Sequence, residues 1–170
     1  MTVYSIAAVA ENGAIGKDND LIWSLPDDMK FFKEKTLDTV VIMGRKNFES
    51  IPHKFRPLPK RVNIVLSRNK DYNAEGAHTF ESIEEAIQFC EQEAYEKVFV
   101  IGGGQIYKLA LDRGLVDEMF ITQVHASFEG DSFYPPLNND DWSRSVISKH
   151  LPDEKRQYAF TIEHWVKNKS

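Results

Sequence analysis

Val98-Phe99-Val100-Ile101 runs straight into Gly102-Gly103-Gly104, and a helical pattern follows from about Gln105 to Asp112. Four apolar residues without polar alternation fit a strand covered on both faces. Glycines between such a strand and a helix let the backbone approach a phosphate. The helix N-terminus adds N–H donors and a positive dipole. A tight turn of permissive residues is the plainer reading, but three glycines at a strand–helix junction favour phosphate binding. The segment is not the G-x-G-x-x-G fingerprint, because Ile106 and Tyr107 stand where the last glycine is needed. It also comes late in the chain, and the position about 20 residues on falls near Thr122 instead of an acid. An ordinary NAD-type doubly wound domain is therefore a poor fit.

The same pattern recurs on either side. Val40-Val41-Ile42-Met43 is a second apolar run, closed by Gly44, with a short helix expected from Arg45 to Ser50. Residues 52–60 hold Pro52, Pro57 and Pro59 and read as loop. Val62 to Leu66 is a third strand, closed by Ser67 and Arg68. Ser82 and Glu85 have capping-box spacing and open a helix to about Gln92. Residues 2–9 form a buried first strand, and strands are expected over Met119–His125, 142–149 and 157–166. These elements predict an α/β fold over residues 1–170 as a single domain. Its mixed, mostly parallel twisted sheet has about eight strands, helices on both faces and an antiparallel C-terminal hairpin.

Composition narrows the class. The chain has 170 residues, 42% hydrophobic and 28% charged, with no stretch near the ~20 apolar residues of a membrane span. Its N-terminus lacks a basic region before the apolar run and is poor as a signal peptide, so the expected location is cytoplasmic. Cys90 is the single cysteine, which excludes an intramolecular disulfide and fits a core position. A net charge of −5 disfavours nucleic acid as a partner. Yet Arg45, Lys46, Lys54, Arg56, Lys60, Arg61, Arg68 and Lys70 crowd one region, which suits a small polyanion. Gly44-Arg45-Lys46 and Leu66-Ser67-Arg68 place cations at two strand ends, with the glycine turn at a third. Ligands of open α/β sheets bind beyond the carboxyl ends of strands. A nucleotide with several phosphates fits, and arginines there favour NADP over NAD. The five histidines show no metal-ligand spacing, so no metal is expected.

Asp28 lies within an apolar stripe of Leu25, Met29, Phe32 and Thr36 on a helix expected over about 25–36, with Ser24 and Asp27 as its capping box. A carboxylate in apolar surroundings is costly, its pKa rises, and it asks for a partner. Thr122 shares a strand face with Phe120 and Val124, where a buried threonine usually serves its own surroundings. It gains interest if that strand lies beside Asp28. The loop over residues ~10–23 is long enough for a lid, and Trp23 packs as a core or lid aromatic. Tyr107 is either core or faces a nicotinamide.

Taken in order, several segments resemble dihydrofolate reductase of the bacterial chromosomal type. They are Ile6-Ala7-Ala8, Gly13-x-Ile15-Gly16, Trp23-x-Leu25-Pro26-x-Asp28 and Ile42-Met43-Gly44-Arg45, then Phe48-Glu49-Ser50-Ile51, Arg56-Pro57-Leu58-Pro59 and Arg61-x-Asn63. Ile101-Gly102-Gly103-Gly104-x-Ile106-Tyr107 and Glu129-Gly130-Asp131 complete the set. The resemblance implies NADPH-dependent reduction of 7,8-dihydrofolate, with hydride passing to C6 and a proton to N5 of the pterin. It implies that Asp28 binds N3 and the 2-amino group, Thr122 supports it, Trp23 belongs to the catalytic group, and water is the final proton donor. Ile6, Met29, Phe32, Ile51, Leu58 and Ile101 would line the folate pocket, with Arg61 on the α-carboxylate of the tail and Arg56 nearby. Ala8, Ile15, Gly16, Asn19 and Asp20 would meet the nicotinamide side. Gly44, Arg45, Lys46, Asn47, Leu66, Ser67 and Arg68 would meet phosphates and adenosine ribose. Gly102, Gly103, Gly104, Gln105, Ile106 and Tyr107 would hold the pyrophosphate and nicotinamide. Asp131 would bond to the lid loop. The resemblance also implies diaminopyrimidine or pteridine antifolates as ligands, and a monomer is expected. The chain departs from the pattern at Leu21, Ile22 and Met29, and residues 52–55 read as a small insertion beside the tail site.

Overall fold

The apolar runs become the middle of one sheet. In a computed structural model that describes residues 1–16, 25–154 and 157–168, the chain forms β1 (Thr2–Ala10), β2 (Ala14–Gly16), α1 (Pro26–Thr36), β3 (Val40–Gly44) and α2 (Arg45–Ser50). After a 3-10 turn at His53–Phe55 come β4 (Val62–Leu66), β5 (His78–Phe80), α3 (Ile83–Gln92), β6 (Lys97–Gly102) and α4 (Gly104–Asp112). The chain continues through β7 (Glu118–Val124), β8 (Ser132–Phe133), β9 (Trp142–His150) and β10 (Phe160–Lys167). Eight strands lie in the order β5-β4-β3-β6-β1-β7-β10-β9. The first six are mutually parallel, and β10 and β9 finish the sheet antiparallel.

Period-two alternation divides the strand side chains between two cores. Val40, Ile42, Ile64, Leu66, Val98 and Val100 pack with Ile83, Ala86, Ile87 and Cys90 of α3 and with Tyr107 and Ala110 of α4. Val41, Met43, Val65, Phe99, Ile6 and Phe120 face the other way, against Phe48 of α2 and Phe31 and Phe32 of α1. Helices therefore cover both faces, and the central strands read as unbroken apolar runs for that reason. Ser82 caps α3 as expected, its hydroxyl accepting from the Glu85 N–H at 3.2 Å. Among the described residues no helix is long and apolar enough to cross a membrane.

Three local expectations need correction. Leu25, not Ser24, is the N-cap of α1, and no side chain caps it. Pro26 opens the helix, its fixed φ and missing N–H suiting the first position. Met29 does not join the buried stripe; it is 58% exposed, because Phe31 and Phe32 carry the packing of α1. The long loop after β1 contains β2, which pairs with β8 as a two-stranded ribbon. Strands of two or three residues carry too little period to be read from sequence. Asn19, Asp20 and Trp23 lie outside the described residues.

Candidate active site

The parallel strands end together at Ala10, Gly44, Leu66, Gly102 and Val124, and the candidate site is built at that edge. There the sheet opens. The pairing of β1 with β6 runs from Thr2↔Lys97 to Ser5↔Val100, while β1 stays paired to β7 as far as Ala10↔Val124. Beyond Ser5 the carbonyl of Ile6 is taken instead by the Tyr107 hydroxyl, at 2.7 Å. A gap thus separates β1 from the glycine turn, with Ile6 and Ala8 on one side and Gly102–Gly104 on the other.

Asp28 reaches this edge from the first turn of α1. Thr122 is 2% exposed on β7, directly opposite Ala8 in register, and its hydroxyl donates to Asp28 Oδ1. Burial pushes the Asp28 carboxyl above its ordinary value, and the Thr122 hydrogen bond opposes part of that rise. Tyr107 is buried, and burial raises its phenol well above the usual value. The charges of Tyr134 and Asp28 add to that rise, so carboxylate and phenol share one electrostatic neighbourhood.

The apolar wall residues meet. Ile6, Phe32, Ile51, Leu58 and Ile101 all belong to the cluster on the α1 face of the sheet. Arg61 stands over the Phe32 ring, 5.9 Å from its centroid. Among the described residues its buried Nε has no hydrogen-bond partner, and burial lowers its pKa. A buried, unsatisfied N–H on a cation is costly unless an acceptor arrives, and an anion suits it best. Arg56 is already engaged: it donates to the Glu49 carbonyl at 3.0 Å and meets His53 Nδ1 at 2.8 Å.

The glycine turn is open at its middle residue and crowded on either side. A Cβ on Gly103 would meet nothing within 4 Å, so that backbone faces open space at the N-terminus of α4. Its neighbours are crowded. A Cβ on Gly102 (φ +119°) would lie 3.2 Å from the Tyr107 ring, and one on Gly104 would lie 2.8 Å from Ser132 Oγ. Gly44 lies against Ile106, with 3.0 Å to a hypothetical Cβ. Asn47 donates to the Ile101 carbonyl at 3.3 Å and so ties α2 to the end of β6. Arg45 pairs with Glu49 at 2.9 Å; Lys46, Arg68 and Gln105 are exposed, and Leu66 and Ser67 are buried. Ile15 and Gly16 are buried in β2, where the Gly16 carbonyl accepts from the Asp131 N–H at 3.0 Å. The 129–131 segment is thus tied to the end of β2 through the Asp131 backbone.

A family model described as dihydrofolate reductase matches residues 2–167. The chain belongs to the dihydrofolate reductase family. The dihydrofolate reductase of Neisseria gonorrhoeae is 42% identical over 166 residues, covering 98% of each chain. That of Staphylococcus haemolyticus is 41% identical over 160 residues, 94% of this chain and 92% of its own. Among solved structures, dihydrofolate reductase from Enterococcus faecalis complexed with NADP(H) and RAB-propyl superposes with a TM-score of 0.87. It is 38% identical and covers 99% of this chain and 97% of its own. The chain is accordingly an NADPH-dependent oxidoreductase that reduces 7,8-dihydrofolate to 5,6,7,8-tetrahydrofolate.

Two buried polar side chains received no role in the sequence reading: Ser5, which it did not name, and Asn63, which it named only within the Arg61-x-Asn63 segment. Ser5 is fully buried in β1 and hydrogen-bonds the Tyr134 hydroxyl at 2.8 Å, while the Tyr134 ring packs on Tyr107 with centroids 4.8 Å apart. Asn63 is 2% exposed within the apolar run of β4. A polar residue interrupting a buried strand is the signal that would have found both.

Proposed function

We propose that Asp28 anchors the pterin and that Thr122 is its positioning partner. The observation that carries this is the Thr122–Asp28 hydrogen bond, made at the carboxyl edge of the sheet beside the apolar cluster that holds Ile6, Phe32 and Ile101. Thr122 engages Oδ1 from β7, which fixes the plane of the carboxylate. In that orientation a carboxylate accepts two parallel N–H donors from the substrate's N3 and 2-amino group. A negative charge held there favours the protonated ring, and water delivers the proton to N5. When bound, NADPH supplies the hydride that C6 takes. The open face of Gly103 and the α4 N-terminus suit its pyrophosphate, and Arg45, Lys46 and Arg68 suit its outer phosphates. Tyr107, fixed on Ile6, would line the nicotinamide position. Arg61 would take the α-carboxylate of the substrate tail. Reduction proceeds in the cytoplasm, where dihydrofolate is the small-molecule substrate.

The test is Asp28→Asn, read by NADPH oxidation at 340 nm with dihydrofolate. Turnover at neutral pH should fall by at least about 100-fold, as for loss of a group governing proton transfer. NADPH affinity, followed by fluorescence titration, should stay within about threefold. Near-normal turnover in the variant would sink the assignment.

A further inference from the structure

Among the described residues Arg61 lacks a partner for its Nε, yet the segment that carries it is tightly held. Three hydrogen bonds from one side chain do this. Asn63 Oδ1 accepts from the Leu58 N–H at 2.9 Å, and Asn63 Nδ2 donates to the carbonyls of Leu58 and Arg61 at 3.0 and 3.1 Å. Asn63 itself is fixed in β4, opposite Val41 in the parallel register. Its side chain lies on the face where Val41, Val65 and Phe99 form the apolar wall. Amide groups are costly to bury there unless satisfied, and a purely structural strand position would be met by Val or Ile. The amide instead copies a strand edge: it gives the 58–61 segment both a donor and an acceptor.

We propose that Asn63 is a positioning residue for substrate selection, clipping segment 58–61 to β4 so that the Arg61 guanidinium stands over Phe32 to receive a carboxylate-bearing tail. This rests on the reading of the site as a folate pocket. Arg61 would not hold its place unaided, because its segment follows the proline-rich stretch 52–59, a 3-10 turn and loop without a ladder of its own. Both ends of the selection device, Leu58 in the wall and Arg61 beside it, hang from one amide. The clip therefore bears on tail recognition and leaves the Asp28 end of the pocket, on α1 and β7, untouched.

The experiment compares steady-state kinetics with dihydrofolate and with a 7,8-dihydropterin lacking the benzoyl-glutamate tail. Asn63→Ala should raise KM for dihydrofolate by roughly tenfold, a loss of about 1.4 kcal/mol, with kcat changed less than about twofold. KM for the tailless pterin should move by less than about twofold. In an Arg61→Ala background, Asn63→Ala should add less than about twofold to the dihydrofolate KM, because both changes remove the same interaction. Equal KM increases for the two substrates, or additive effects with and without Arg61, would overturn the proposal. Asn63→Ser, which keeps a hydroxyl to serve the Leu58 N–H, replaces Asn63→Ala in the cycle if the alanine variant fails to fold. A parent enzyme that oxidises no NADPH with dihydrofolate overturns the folate-pocket reading itself. An active parent without the tail-selective effect overturns only the role of Asn63.

Discussion

Burial around Asp28 raises its carboxyl above the ordinary range, and the Thr122 hydroxyl pulls the other way without cancelling the rise. That carboxyl binds its proton more tightly in the folded chain than in the unfolded one. Its contribution to stability is full below the unfolded value of 3.8 and is lost as pH climbs through the folded value. At neutral pH the charged form is therefore held against the preference of the fold. Asp28→Asn should raise Tm at pH 7 by about 2–4 °C, and the gap should close as pH drops below the unfolded value. Thermal melts of both proteins across that range measure it; a variant less stable at neutral pH contradicts the sign. Asp28 was legible because a charge broke a helical stripe, and Thr122 because it broke an apolar strand face. Met29 was misread for the same stripe: helical spacing gives a face, but neighbours decide which residues on it are covered. Arg56 was hard to place because its partners, Glu49 and His53, arise from a local turn with no periodic signal.

The glycine turn between β6 and α4 separates fold from ligand within three residues. Gly103 faces open space in an extended conformation (φ −77°, ψ −159°), whereas Gly104 is pressed against Ser132 and Phe133. Gly103→Ala should lower Tm less than Gly104→Ala does while weakening NADPH at least about tenfold, since its methyl group fills the space proposed for the phosphate. Gly104→Ala should lower Tm by several degrees as well, because its Cβ forces backbone to move. Differential scanning calorimetry beside cofactor titration distinguishes the two; equal effects on both readouts would refute the division. The strands flanking this turn were readable as runs because both faces are covered. Their caps were readable where a hydroxyl serves as cap, as at Ser82, and not where a proline starts the helix, as at Pro26. The ribbon of β2 and β8 and the short edge strand β5 were not readable, since two or three residues have no period to measure.

Taken as a whole, the chain is acidic, with a net charge of −5, yet it presents Arg45, Lys46 and Arg68 just beyond the carboxyl ends of β3 and β4, where we propose the cofactor's outer phosphates bind. Fields from exposed charges reach about 10 Å at ~0.1 M salt and about 3 Å at ~1 M. KM for NADPH should accordingly rise several-fold over that range, and by more than KM for NADH, which lacks the additional phosphate. Parallel salt series with the two cofactors decide this; identical slopes would mean that these side chains do not read that phosphate. The segment 131–134 gives the molecule a further property. Asp131 bonds Gly16, Tyr134 bonds the Gly13 carbonyl at 2.9 Å, and Ser132 and Phe133 abut Gly104. Strand β2 and the glycine turn are thus referenced to one datum. Errors in their positions are correlated, as in two parts machined from a common edge. One residue inserted there would put both out of alignment together, so the length of this segment constrains the enzyme more tightly than the identity of its side chains.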